Sequence, residues 1–317
     1  MHPALSVIFF TTLSGAGYGL LIWLGLSSIV LYDLQGAWPA WAGVQLAALA
    51  LGLVLATVGL LCSLGHLGKP GRAWRAFSQW RTSWLSREGV LASATFVPAL
   101  AFGAFAYWGG SAAARWLMPV AGALLAICAA ATVLCTAMIY ASLKPIPAWR
   151  HPLVVPVYLL FALLTGLALL FTLTYALLGR TTPGLVLTAL AIVAALVVAL
   201  KWRYWLQIDR DGLPATRGDA IGLPGRDASV FERPHTEANY ITREMAFQVA
   251  RDRARGLRLG ASALLLGGPL LAFLLHVLWP AHPAIALGAA TVLMLGGAFV
   301  ERWLFFAQAR HMVTLYY

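Results

Sequence analysis

Three side chains able to handle protons and anions crowd one short stretch. They are His66, Arg72 and Glu88, in HLGKPGRAWRAFSQWRTSWLSREGVL from His66 to Leu91. A histidine hydrogen-bonds a carbonyl oxygen and exchanges a proton near neutral pH. A carboxylate beside apolar surface binds its proton more tightly than one in water, so it can take one up or release it. An arginine keeps a carboxylate charged or polarises an oxygen. Trp74, Phe77, Trp80 and Trp84 stand among these groups and offer walls to a flat ring. The same residues also describe an ordinary interfacial belt, with arginines at headgroups, tryptophans at the boundary, and Glu88 paired with Arg87 or Lys69. Spacing alone leaves both readings open.

The elements that position these groups are written in the composition. The 317 residues are 61% hydrophobic and only 10% charged, against about 25% charged in soluble domains. Apolar runs of about 20 residues cross hydrocarbon as helices, whereas a barrel shows short alternating segments. An all-α integral membrane protein follows. Eight spans are expected, near 4–32, 41–65, 84–108, 115–143, 152–179, 183–207, 256–279 and 283–309. The expected architecture is two four-helix bundles in one polytopic domain over 1–317. The N-terminal MHPALSVIFF lacks a basic leader and reads as a retained first helix. His66 and Glu88 then lie at facing ends of spans two and three, and one loop between antiparallel neighbours can bring them together with Arg72.

Charge sets the orientation. The 66–88 stretch carries five cations, loop 143–151 carries Lys144 and Arg150, and 201–258 carries eleven, from Lys201 to Arg258. Near the opposite loops stand only Arg115 and Arg180. The positive-inside rule places both termini, and the loops near 66, 144 and 230, in the cytoplasm. It also accounts for the net charge of +11 without nucleic acid. The long 208–255 loop holds six of the eleven acidic residues between Ile208 and Ile241. It reads as an exposed cytoplasmic linker or docking segment, leading into an interfacial helix over 243–258.

The span centres are nearly empty of ionisable residues, which disfavours an ion-coupled transporter with sites at the midplane. No histidine falls mid-span, which disfavours bis-histidine haem. Cys62, Cys128 and Cys135 form no CxxC pair, so neither an iron–sulfur cluster nor another metal is expected in this chain. Polar chemistry collects at the cytoplasmic ends: His66, Glu88, His151, Glu301, Arg310 and His311, with Arg302 a few turns in. GAGYG at Gly15–Gly19 predicts close helix packing.

The loop resembles the signature of the dimethyl sulfoxide reductase anchor-subunit family. Its His-Leu-Gly-x-Pro-x-Arg-Ala run is matched by His66, Leu67, Gly68, Pro70, Arg72 and Ala73. Its Leu-Ser-x-Glu is matched by Leu85, Ser86 and Glu88. The C-terminal ERWLFFAQARHM is similar to the family's last helix. The resemblance implies a haem-free anchor that reacts with a quinone, ubiquinone or menaquinone. Its implied partners are a molybdopterin catalytic chain and a four-cluster iron–sulfur chain. The quinone site it implies is His66, Gly68, Arg72 and Glu88, with the Trp74 ring for stacking and Arg302 joining from the last helix. His66 and Glu88 would move the protons. Trp74 stands where the family often has Phe, and Ala76 where it often has Ser. Arg75, Arg81, Arg150 and the 243–258 helix are expected to dock the partner.

With the loop on the cytoplasmic side of a bacterial inner membrane, the complex is expected to oxidise a small reduced substrate, sulfite first, and to feed the quinone pool. A quinol-oxidising anchor of an S- or N-oxide reductase is the alternative. A transporter and a purely structural anchor are the other classes.

Overall fold

The structure, a computed structural model, describes residues 4–30, 38–65, 67–108, 112–179, 183–232 and 253–316. Eight helices are long and apolar enough to cross a membrane. They are α1 (Leu5–Val30), α2 (Trp38–Leu64), α3 (Trp84–Tyr107), α4 (Ala112–Ala141), α5 (Val154–Leu178), α6 (Gly184–Asp211), α7 (Ala254–Leu278) and α8 (Pro283–Ala307). No strand occurs among the described residues, as the composition predicts. His66 and residues 233–252 lie outside the described residues, so the helix expected over 243–258 is described only from Arg253.

Local chemistry sets the helix ends. Ser83 caps α3 by accepting the N–H of Ser86 at 3.4 Å. Gly179, at φ 60°, closes α5 in the left-handed conformation that glycine adopts without strain. Inside the spans, hydroxyls are tolerated because they bond the preceding turn. Ser14 donates to the Phe10 carbonyl at 2.6 Å and Thr165 to that of Phe161 at 2.8 Å.

Helices α1–α4 pack around Leu20, Leu24, Phe102 and Leu125, and α5–α8 around Leu164, Leu190, Leu265, Leu287 and Met294. The two expected bundles are therefore present. They join along α1 and α5. Two-thirds of the apolar window of α1 is buried, 67% against 28% for α2, because α1 touches α2, α4, α5 and α8. The junction is backbone against backbone. A Cβ at Gly19 would stand 1.8 Å from the Ala162 carbonyl oxygen, and one at Gly17 2.5 Å from the Ala56 nitrogen on α2. Trp23 fastens the same seam by donating its indole N–H to the Leu163 carbonyl at 2.8 Å. The close packing expected of GAGYG is found, but Gly17 and Gly19 make it. Gly15 has nothing within 4 Å of its Cβ position.

Between α2 and α3 the chain forms a 3-10 helix, η1 (Pro70–Gln79), whose Trp74, Phe77 and Trp80 are exposed. Such an aromatic and basic face suits the membrane–water boundary. Arg87 ties η1 to α3. Its guanidinium donates to the carbonyls of Trp80 at 3.0 Å and Arg81 at 2.6 Å and lies 4.3 Å from the Trp84 ring centroid.

At the same end of the molecule the α4–α5 loop is held by an aromatic cluster. Trp149 stacks on Phe305 and donates to its carbonyl at 3.0 Å, while the Tyr204 hydroxyl donates to the Ala148 carbonyl at 3.0 Å. Two imidazoles serve as caps here. His151 Nδ1 accepts the Leu153 N–H at 3.1 Å, and His311 Nδ1 accepts that of Val313 at 3.0 Å. Burial pushes both imidazoles below the ordinary value of 6.5; in His151 a hydrogen bond with Gln207 opposes it. Protonation turns each Nδ1 from acceptor into donor and breaks the cap. A base depressed on folding contributes its stability in full above the unfolded pKa and loses it as pH falls. The thermal midpoint of the solubilised protein should therefore be level above pH 7 and fall between about pH 6.5 and 5.5. The His151→Gln/His311→Gln variant should show a shallower fall in the same scan. An equal fall would remove the two caps from the cause.

Candidate functional site

Glu88 sits one turn into α3, about 6 Å along the axis from Trp84, and is 4% exposed. Thr136 of α4 donates its hydroxyl to Glu88 Oε1. Among the described residues no cation stands within ion-pair distance of Glu88. The belt reading, in which Arg87 or Lys69 neutralises it, is corrected. Arg87 is engaged by the η1 carbonyls, and Lys69 is exposed. A carboxylate held by one hydroxyl, with no counter-ion, is built to change its protonation state rather than to fix a charge.

The remaining predicted residues divide. Gly68, Arg72 and Trp74 are exposed on the η1 side, and Arg72 does not close onto the carboxylate. The ring that meets α3 beside Glu88 is Phe77, 3.7 Å from the Cβ position of Gly89. Arg75 and Arg81 are exposed and lie 5.7 and 5.6 Å from the rings of Trp74 and Trp80. Arg150 lines a cleft of about 780 Å³ on the same end, together with Lys144, His151, Arg255, Arg258 and Arg310. Arg258 is anchored there by Asp209, with Nη2 2.9 Å from Oδ1.

Arg302 is 3% exposed and lies inside the protein, its guanidinium 3.6 Å from the Tyr158 ring centroid. Its Nη1 is 3.4 Å from Glu301 Oε2, and Lys201 Nζ is 2.6 Å from Glu301 Oε1. Glu301 is wholly buried, and Lys201 is 2% exposed. The reading of Lys201 as a cytoplasmic loop cation is thereby corrected. It lies about 15 Å before the end of α6, and its charge is met by Glu301 rather than by water. The available signal was the pair of opposite charges within two predicted spans, 183–207 and 283–309.

Glu88 and Arg302 are connected. A narrow cavity between α1, α4, α5 and α8 is lined by Thr12, Tyr18, Thr136, Tyr158 and Arg302 among others. It admits the centre of a water-sized sphere over about 20 Å³, enough for a water and too little for a ring. One end is thus the partner of Glu88 and the other is Arg302. Thr136 and Tyr18 carry no family motif, and only the fold brings them to Glu88.

Residues 1–308 match the family described as DMSO reductase anchor subunit (DmsC). The chain belongs to that family. The C-subunit of the sulfite dehydrogenase of Allochromatium vinosum is 34% identical over 329 residues, covering 100% of this chain and 99% of that protein. The eight helices are therefore those of a multi-pass membrane anchor in a DMSO reductase-family complex. In this anchor a quinone suits the chemistry of the Glu88 turn. The donor set is a protonatable carboxylate at the edge of the apolar zone, with the Phe77 ring alongside. The interior cavity is too small for a headgroup, so the approach is from the α3–η1 surface.

Proposed function

We propose that this chain is the haem-free, quinone-reactive anchor of a three-subunit molybdenum enzyme that oxidises sulfite in the cytoplasm. The observation that carries the proposal is Glu88: a buried carboxylate without a counter-ion, one turn inside a span, in the Leu-Ser-x-Glu position of the family signature. End-to-end similarity to the membrane protein of a sulfite dehydrogenase supports the substrate. The cation asymmetry supports a cytoplasmic face for both termini and for the partners.

The partners are a molybdopterin catalytic chain and a four-cluster iron–sulfur chain. Sulfite and water yield sulfate, two electrons and two protons on the catalytic chain. The electrons leave the iron–sulfur chain for a quinone, which takes two protons to become quinol. Glu88 delivers a proton to one carbonyl oxygen and His66 serves the other. Gly68, Arg72 and Trp74 shape the approach from η1. Arg302 acts from across the cavity by holding Glu301. Arg75, Arg81 and Arg150 receive the iron–sulfur chain.

The test is Glu88→Gln in the assembled complex. Quinone-linked sulfite oxidation should fall about tenfold, the low end for loss of a positioned proton donor. Dye-linked oxidation by the catalytic chain should persist. Unchanged quinone-linked turnover would remove Glu88 from the reaction. The family description favours a second reading, a menaquinol-oxidising anchor of an S-oxide reductase. It predicts quinol-driven S-oxide reduction and no reduction of quinone by sulfite.

A further inference from the structure

Two carboxylates and two cations are buried across the bundle seam: Glu88, Glu301, Lys201 and Arg302. Their charges sum to zero when all are ionised. Ion pairing accounts for Lys201, Glu301 and Arg302, but not for the hydroxyls around them. Thr12 Oγ1, Tyr18 Oη and Tyr158 Oη are buried without a hydrogen-bond partner, and the Glu301 oxygens meet their cations without well-aimed hydrogen bonds. Thr12, Tyr18 and Tyr158 line the cavity that runs from Thr136 to Arg302. Unpaired buried hydroxyls around a space the size of a water are satisfied together by ordered water.

Beyond Arg302 a second small cavity is lined by Tyr158, Lys201, Tyr204 and Glu301. Tyr204 packs edge-on against His151, ring centroids 5.2 Å apart. His151 lines the basic cleft at the end of the molecule. Polar groups thus run from open solvent to Glu88 through an apolar interior, where each unneeded polar group is costly.

We propose that this series is a water-lined proton route between the basic cleft and Glu88, with Glu301 as its relay carboxylate. The proposal rests on the quinone reading of Glu88 and supplies its protons. A proton entering at the cleft reaches Glu301, crosses the cavity beside Arg302 and Tyr158, and arrives at Thr136. The Thr136 oxygen takes that proton as it releases its own to Glu88, so each relay group ends as it began. One proton is delivered for each electron that the iron–sulfur partner supplies, and the electrons do not use this route. Lys201 and Arg302 hold Glu301 ionised between transfers, ready to accept.

The experiment uses the assembled complex. Glu301→Gln should lower quinone-linked kcat about fivefold, leave the KM for quinone unchanged, and enlarge the rate ratio between H2O and D2O. Glu301→Asp should restore most of the rate. Should Glu301→Gln fail to assemble, Lys201→Gln/Glu301→Gln leaves no unpaired lysine and should be slowed in the same way. Wild-type kcat, or an unchanged isotope ratio, in either assembled variant overturns the route while Glu88→Gln still decides the quinone reading. If Glu88→Gln is itself silent, both readings fall.

Discussion

Replacing Gly19 by alanine should cost this protein more stability than any other single methyl group added to α1. The added Cβ would stand 1.8 Å from the Ala162 carbonyl oxygen and 2.5 Å from its carbon. Those are main-chain atoms of α5, so no rotamer change can relieve the clash. The helices must separate, and the neighbouring contact at Gly166, whose own Cβ position is 2.1 Å from the Gly19 carbon, separates with them. Overpacking of a core typically costs about 1–3 kcal/mol, and a clash with immovable backbone belongs at or above the top of that range. Gly15→Ala is the internal control, because nothing lies within 4 Å of its Cβ position and alanine favours the helix. Thermal unfolding in detergent should show a large loss for Gly19→Ala and little change for Gly15→Ala. Equal midpoints would show that α1 and α5 do not meet backbone to backbone at Gly19.

Removing the shared counter-ion of the interior should be as severe. Glu301 meets Lys201 at 2.6 Å and Arg302 at 3.4 Å, and all three are at most 3% exposed. Glu301→Leu leaves two buried cations unpaired, and breaking a buried pair from one side costs about 3–5 kcal/mol. Lys201→Met should cost clearly less, because Glu301 keeps Arg302 as partner and the methionine fills the lysine's space. Denaturant titration of the three proteins should rank them wild type, Lys201→Met, Glu301→Leu. The reverse order of the two variants would mean that Glu301 is not the group both cations depend on. A cycle completed with Lys201→Met/Glu301→Leu should show coupling of about 0.5–3 kcal/mol, as contacting charges do.

The spans were legible because each is a long apolar run, and the eight helices begin and end within a few residues of the runs. Glu88 was legible because its neighbours Leu85 and Ser86 complete a motif. Its environment was not. Thr136 is 48 residues away and Tyr18 is 70 away, and nothing in linear spacing fixes the rotation of one span against another. Lys201 misled for a related reason. A count of cations near helix ends credits every cation to the water side, yet a lysine about 15 Å from the end of its helix goes wherever its counter-ion stands. The 3-10 fold of residues 70–79 was hidden too, since its aromatic and basic residues satisfy the belt reading equally well in any conformation. Arg72 and Trp74 were expected beside the carboxylate, whereas η1 leaves them exposed and brings Phe77 to α3.

The α1–α5 crossing also sets a schedule for biogenesis. Gly166 leaves the ribosome 147 residues after Gly19, about 7–30 s later at about 5–20 residues per second. Through that interval α1 is already in the bilayer with its glycine face unclosed. The first bundle therefore waits as an unlatched half, and the arrival of α5 latches it and founds the second bundle in a single event.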